Sequence, residues 1–224
     1  MKQLYEHNQL LETAFRRLEH DELSQEMRHF ADQCQIPIID DSGLETILQF
    51  LKLKKPKRIL EIGSAIGYWS TMVARHTGAE VVTIERDDQN YQRACSYIAR
   101  SSAAQQVNIY HADALTVDVA FLKDQVFDVI FIDAAKSAYQ RFFEKYEPFL
   151  AHDGLMISDN LLFHGHIFTD QQALGRNLRD LTRKIKTYSA WLEGHPHYDT
   201  IFLPLGDGLA FSYRRKGGGN EETT

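Results

Sequence analysis

The stretch RILEIGSAIGYWS, residues 58–70, decides the fold. A short apolar run ends in Glu61-Ile62, Gly63 and Gly67 bracket a turn, and Tyr68-Trp69-Ser70 opens an amphipathic segment. That is a strand, a tight turn and a helix. The same alternation continues outward. Arg58–Ile62, Val81–Ile84, Val107–Tyr110, Phe127–Ile132 and Leu155–Ser158 are apolar runs of strand length. Between them lie helical candidates at Tyr68–His76, Gln89–Ser101, Val117–Leu122 and Ala138–Leu150. Near-continuous apolar strands separated by helices predict a parallel sheet covered on both faces, a doubly wound, Rossmann-like α/β domain.

At the far end, Ala173–Glu193 predicts a long amphipathic helix. Thr200–Leu205 and Leu209–Tyr213, joined through Gly206-Asp207-Gly208, predict an antiparallel hairpin that brings the sheet to seven strands. Upstream, the apolar positions from Leu4 to Cys34 fall at helical spacing and predict two helices with a bend near Asp21. Ile36-Pro37-Ile38-Ile39 interrupts them, and Asp40, Asp41 and Ser42 supply N-cap chemistry for a helix over Leu44–Leu53. The expected organisation is one domain over 1–216, with 1–55 as a helical lead-in and 217–224 as a flexible tail.

The 224 residues are 43% hydrophobic and 25% charged, which fits a globular core rather than disorder. A net charge of -6 excludes a uniformly basic surface, so any nucleic acid must meet a local cationic patch. Cys34 and Cys95 are far apart and show no metal-ligand spacing; buried free thiols are expected. The N-terminal stretch is broken by charges every few residues and contains no membrane-spanning run, so a cytoplasmic protein is expected.

Chemistry-bearing side chains fall at the strand ends. The glycine turn lies where ligands bind in open α/β sheets and where a Cβ would obstruct a close approach, although a tight strand-to-helix connection alone also explains two glycines. Ala65 stands where a dinucleotide fingerprint has its middle glycine, which disfavours a nicotinamide-dependent oxidoreductase. Glu85 ends its strand about 20 residues past the turn, placed to accept hydrogen bonds from both hydroxyls of a ribose or to stand as a solvated loop acid. Asp113, in HADAL, can accept from an adenine amino group or cap the segment starting near Leu115. Asp133, Asp159 and Asn160 offer hard oxygen donors that suit Mg²⁺, with Mn²⁺ or Ca²⁺ as substitutes. Either motif alone reads as a strand end or a turn cap; two on neighbouring strand ends favour the ion. Lys136, three residues after Asp133, is a general base beside that ion or a surface lysine on a first helical turn. His164 and His166 read as loop residues near the substrate, and His195-Pro196-His197 as a turn.

Taken in order, LEIGSAIGYWS, TIERDD, FIDAAK and SDNLLFHG resemble the class I S-adenosylmethionine-dependent O-methyltransferases of the divalent-cation-dependent, catechol and caffeoyl-CoA type. The likeness spans nearly the whole chain. KYEPFL, WLEGHPHYDT and PLGDGLAFS bring it nearest to the bacterial tRNA 5-hydroxyuridine methyltransferases. The resemblance implies a cofactor site of Ile38, Glu61, Gly63, Tyr68 and Asp133, with Glu85 at the ribose and Asp113-Ala114 at the adenine. It also implies a cation on Asp133, Asp159 and Asn160, catalysis by Lys136 and Asp133, and a homodimer with the lead-in near the interface. Trp69 departs from the pattern, standing where the family carries a small hydroxyl residue beside the cofactor carboxylate; Ser70 is the candidate stand-in.

For the acceptor, Arg176, Arg179 and Arg183 recur on one helix face just after the metal loop. Such a run is usually a solvated face, but in an acidic chain it can meet RNA phosphates. A splayed single-stranded base in a tRNA anticodon loop is a natural target, because 5-hydroxyuracil carries its 5-oxygen beside its 4-carbonyl, a chelating pair like that of a catechol. The expected reaction is therefore methylation of 5-hydroxyuridine at the tRNA wobble position. A small-molecule catechol is the alternative acceptor, and a non-catalytic nucleotide-binding module is a more distant one.

Overall fold

The computed structural model describes residues 18–170 and 174–215. Two helices lead in: α1 (Glu22–Cys34) and α2 (Asp41–Lys54). Then come β1 (Arg58–Ile62), α3 (Tyr68–Thr77), β2 (Glu80–Glu85), α4 (Asp88–Arg100), β3 (Val107–His111), β4 (Phe127–Ile132), α5 (Tyr139–Tyr146), β5 (Leu150–Ser158), α6 (Arg176–Glu193), β6 (Tyr198–Leu203) and β7 (Leu209–Arg214). The helices start where carboxylates can serve free N–H groups. Asp21 accepts from Ser24 N (2.8 Å), Asp40 from Gly43 N (2.9 Å) and Asp87 from Asn90 N (2.9 Å).

The seven strands run in the order β3-β2-β1-β4-β5-β7-β6. β1 to β5 are parallel, and β7 lies antiparallel between β5 and β6. Strand direction alternates side chains between two cores. Ile59, Val81, Val129, Phe131, Ile157 and Phe211 meet α1 to α4, while Leu60, Val82, Ile130, Ile132, Met156 and Ala210 meet α5 and α6. β1 sends its connection toward β2 on one side, and β4 lies on the other. The crevice at their carboxyl ends is thus the topological switch point, where such sheets bind ligands.

Several expectations change. The segment expected as a helix over Val117–Leu122 is a single 3₁₀ turn, Val119–Leu122, begun by Asp118 accepting from Ala120 N at 2.9 Å. The helix expected over Ala138–Leu150 stops at Tyr146. A 3₁₀ turn containing Pro148 follows, because proline lacks the N–H that a continuing helix requires. α6 begins at Arg176 behind Gly175 rather than at Ala173, which lies outside the described residues. So do the first helix expected from Leu4 and the 217–224 tail. The thiols are not buried: Cys34, the last residue of α1, is exposed, and Cys95 is half-buried. Among the described residues no helix is long and apolar enough to cross a membrane.

Candidate functional site

A cavity of about 350 Å³ occupies the switch point, lined along its floor by Glu61, Glu85 and Asp133 and roofed by Ile36–Ile39 of the lead-in. The parallel ladder runs on past the strand ends. Gly63 N donates to Ile84 O (3.0 Å), Asp133 N to Ile62 O (3.0 Å) and Asp159 N to Ile132 O (3.2 Å), so the acidic residues are set by backbone register.

The glycines serve the protein's own packing. Gly63 has φ +91°, and a Cβ there would lie 2.3 Å from the Asp133 carbonyl oxygen; at Gly67 a Cβ would crowd Ala94 of α4 at 3.2 Å. The tight connection between elements requires them, and Gly63 also lines the cavity. Glu85, 7% exposed, accepts three backbone N–H groups: Ala65 at 2.9 Å on one oxygen, and Arg86 and Asp87 at 2.9 and 2.8 Å on the other. A carboxylate offers about four acceptor directions, so Glu85 has room for one ribose hydroxyl rather than two. Asp113 caps the turn after β3, accepting from Leu115 N at 2.8 Å, and lines the cavity with Ala114. The capping reading is thus observed, and the adenine contact stays an expectation for a residue on the cavity wall.

Glu61 is 1% exposed, and one of its oxygens is buried without a hydrogen-bond partner among the described residues. Burial pushes its carboxyl up to about 8, although the Thr83 and Ser70 hydroxyls beside it pull the other way. An acid in this position favours a cationic ligand group. Tyr68 lines the same end of the cavity and is fixed from behind. Arg28 of α1 donates to its hydroxyl (3.3 Å) and to Asp41, tying the lead-in to the glycine turn. Ile38 and Trp69 also line the cavity. Ser70, the expected stand-in, is not among the residues lining the cavity. It is fully buried, and its hydroxyl donates back to Gly67 O at 3.3 Å, the local bond that a serine in a first helical turn readily makes. Trp69 stacks on Phe131 of β4, with centroids 4.1 Å apart and planes 11° apart.

The expected metal donors converge. Asn160 Nδ2 donates to Asp133 Oδ1 at 2.9 Å, and Asp159, 3% exposed, holds Asn160 N at 2.6 Å. Burial pushes Asp133 up to about 6, against the pull of Lys136 and Asn160. Burial and the Asp133 charge push Asp159 well above the usual carboxylate range. Asp133 keeps some accessible surface on the cavity side but is otherwise densely surrounded. Two crowded carboxylates resist ionising together, and a divalent cation relieves that conflict. The Asn160 amide turned by a half-rotation adds a third hard oxygen. Among the described residues no three His, Cys, Asp or Glu side chains gather to hold an ion. The residues fit a hard divalent ion.

Sequence reasoning missed Asp207 and Asp40. The Gly206-Asp207-Gly208 turn braces the metal loop. Leu161 N and Leu162 N donate to Gly208 O (2.9 Å) and Asp207 O (2.7 Å), His164 N donates to the Asp207 carboxylate, and a Cβ on Gly206 would strike Asp40. The other Asp207 oxygen is buried with no hydrogen-bond partner among the described residues, His164 Nδ1 lying at 3.6 Å, beyond hydrogen-bond reach. The available signal is an acid between two glycines, a pattern that a hairpin turn alone also explains. Asn160, Phe163, His164 and Gly165 all have positive φ, which shows how tightly the loop is bent. Lys136 lines the cavity half-buried, its Nζ 5.7 Å from the Phe163 ring centroid. Of the three arginines, exposed Arg183 reaches the neighbourhood of Lys136. Arg176 and Arg179 are exposed at the start of α6, with Arg179 donating to Leu174 O at 3.0 Å.

An O-methyltransferase family model matches residues 16–215. A caffeoyl-CoA O-methyltransferase of Populus kitakamiensis is 26% identical over 170 residues, 73% of this chain and 72% of that protein. The crystal structure of a "putative caffeoyl-CoA O-methyltransferase" from Staphylococcus aureus is similar at TM-score 0.82 and 37% identity, covering 96% of this chain and 98% of that one. An O-methyltransferase from Bacillus cereus in complex with S-adenosylhomocysteine, at 22% identity and TM-score 0.74, covers 89% and 94% of the two chains and shares the fold. These matches remove the oxidoreductase alternative, and the chain belongs to the O-methyltransferase family.

Proposed function

We propose that this protein methylates the 5-oxygen of 5-hydroxyuridine at the tRNA wobble position, with S-adenosylmethionine as methyl donor and Mg²⁺ as resident cation. The observation that carries the reading is a continuous acidic floor. It runs from Glu61 through Glu85 to the Asp133, Asp159 and Asn160 corner, and Lys136 stands between that corner and a cationic surface. Glu61 would hold the methionine ammonium, Glu85 one ribose hydroxyl and Asp113 the adenine amino group. The cofactor supplies an electrophilic methyl on a sulfonium. Asp133, Asp159 and Asn160 would hold the cation, which when bound supplies positive charge that acidifies and orients a chelating acceptor.

The remaining work falls to the chain's own groups. Lys136 takes the acceptor proton at its Nζ, and Asp133 keeps that lysine beside the acceptor oxygen. Ile36–Ile39 exclude water from the cavity, and rigid strand ends align oxygen, carbon and sulfur for in-line transfer. Replacing Lys136 with Ala is expected to lower turnover by about 10²-fold or more while cofactor affinity, read by calorimetry, stays the same. Unchanged turnover removes Lys136 from the chemistry.

A catechol-type small acceptor is the second reading, compatible with the caffeoyl-CoA O-methyltransferases among the relatives. Radiolabelled S-adenosylmethionine offered with hypomodified tRNA and a panel of catechols separates the two. Nucleoside mass spectrometry of tRNA from cells lacking the protein should show 5-hydroxyuridine accumulating, and an unchanged profile rejects the RNA reading. Metal-dependent S-adenosylhomocysteine production excludes a non-catalytic module. A cytoplasmic homodimer with the lead-in near its interface completes the proposal, testable by light scattering.

A further inference from the structure

Beside the cavity, a cleft of about 410 Å³ opens between the 3₁₀ turn Lys136–Ala138, α5 and α6. We propose that this cleft binds a phosphate group of the acceptor, a phosphodiester of the RNA when the function proposed above holds. Four cations line it: Lys136, Arg141, Arg183 and Lys184. Glu144 lines it too, and Asp180 pairs with Arg183 (2.5 Å) and Lys184 (2.9 Å). Four positive charges less two negative leave two positive, on a chain whose total is -6. Local charge therefore runs against the molecule's own field, as anion recognition requires.

Arg141 is the informative residue. It is exposed on α5 and has no ion pair among the described residues, although Glu144 lies three residues on, where a helical pair forms readily. Glu144 instead accepts from Gln140 Nε2 at 2.8 Å, and the guanidinium is left with its planar fork of donors unused. The cleft floor is built and rigid. Tyr139 and Tyr188 are buried edge to face with centroids 5.4 Å apart; Tyr139 donates to Asp159 O (2.9 Å), and the Tyr188 hydroxyl pairs with Ser158 Oγ (2.7 Å). The same two tyrosines thus support the cleft and the strand end carrying the metal donors. Lys136 lines both spaces, so a group seated in the cleft lies one side chain away from the transfer corner. An open, polar trough beside a deeper cavity suits a backbone phosphate whose neighbouring base turns inward.

The test uses the whole protein and the Arg141→Ala/Lys184→Ala double variant, both positions being solvent-exposed and away from the donor set. Fluorescence anisotropy would follow a labelled anticodon stem–loop bearing 5-hydroxyuridine across a salt series. Methylation would be followed on that RNA, on a caffeoyl-CoA thioester and on free catechol. Expected are an RNA Kd about tenfold weaker, a slope of log Kd against log salt smaller by about 1.4 from two lost single-strand contacts, and an unchanged kcat/KM on catechol. Loss on the thioester but no RNA binding by the wild-type protein keeps the phosphate site and rejects the RNA reading. Equal loss on catechol, unchanged affinity for both phosphate-bearing acceptors, or a wild-type protein that binds neither overturns the proposal.

Discussion

Glu61 and Trp69 show how single residues here are set by the cofactor cavity as much as by the fold. Because Glu61 is raised to about 8 from an ordinary 4.5, the folded protein holds a proton that the unfolded chain releases between those values. That contribution to stability is complete below pH 4.5 and is lost as pH rises through 8. The cofactor-free protein should therefore melt at lower temperature at pH 8 than at pH 6, and Glu61→Gln should flatten that slope in calorimetry. A slope that survives the substitution assigns the dependence elsewhere. Trp69 keeps its indole on Phe131, but Nε1 is buried without an acceptor among the described residues. A buried unsatisfied N–H costs roughly 1–3 kcal/mol. Trp69→Phe retains a stacked ring and removes that group, so little change or a rise in Tm is expected, with cofactor KM unmoved; a large loss would reveal an acceptor for Nε1 in the working enzyme.

At the scale of elements, strands were the most legible. Arg58–Ile62 and Phe127–Ile132 are read from apolar run length alone and match β1 and β4 end to end. Helix ends were less so, since Pro148 and Asp118 redirect the chain through local hydrogen bonding that apolar spacing does not report. The candidate site was legible as residue types at strand ends, whereas the brace from Gly206-Asp207-Gly208 depends on two segments meeting only in three dimensions. The glycine turn gives a graded test. Gly63→Ala puts a Cβ into the Asp133 carbonyl and should destabilise by about 3 kcal/mol or more, whereas Gly78→Ala, at φ +73° in open space, should cost only about 1–2 kcal/mol in urea denaturation. Equal effects would mean that backbone conformation alone, not the approach of β4, limits position 63.

For the molecule as a whole, stability and cation loading are linked. Burial favours the protonated forms of Asp133 and Asp159, so the proposed Mg²⁺ would have to displace protons and is expected to bind more weakly as pH falls. At an ion concentration a hundredfold above Kd, mass action supplies about 2.7 kcal/mol, which for a domain this size raises Tm by roughly 5–10 °C. Differential scanning fluorimetry with Mg²⁺ and with chelator checks this, and Asp159→Asn should abolish the increment. Failure of chelator to reduce methyl transfer would reject the resident cation.

The bracing of Leu161, Leu162 and His164 by the turn between β6 and β7 has a temporal consequence. A polypeptide emerges from the ribosome amino end first, so Asp159 and Asn160 are made well before the residues that bend their loop into shape. The nascent chain can stack its parallel strands early, yet its reactive corner stays unfinished until the last strand slides in beside β5. Chemical competence thus waits for the β6–β7 hairpin, and a chain cut short ahead of Gly206 would keep much of its sheet while remaining inert.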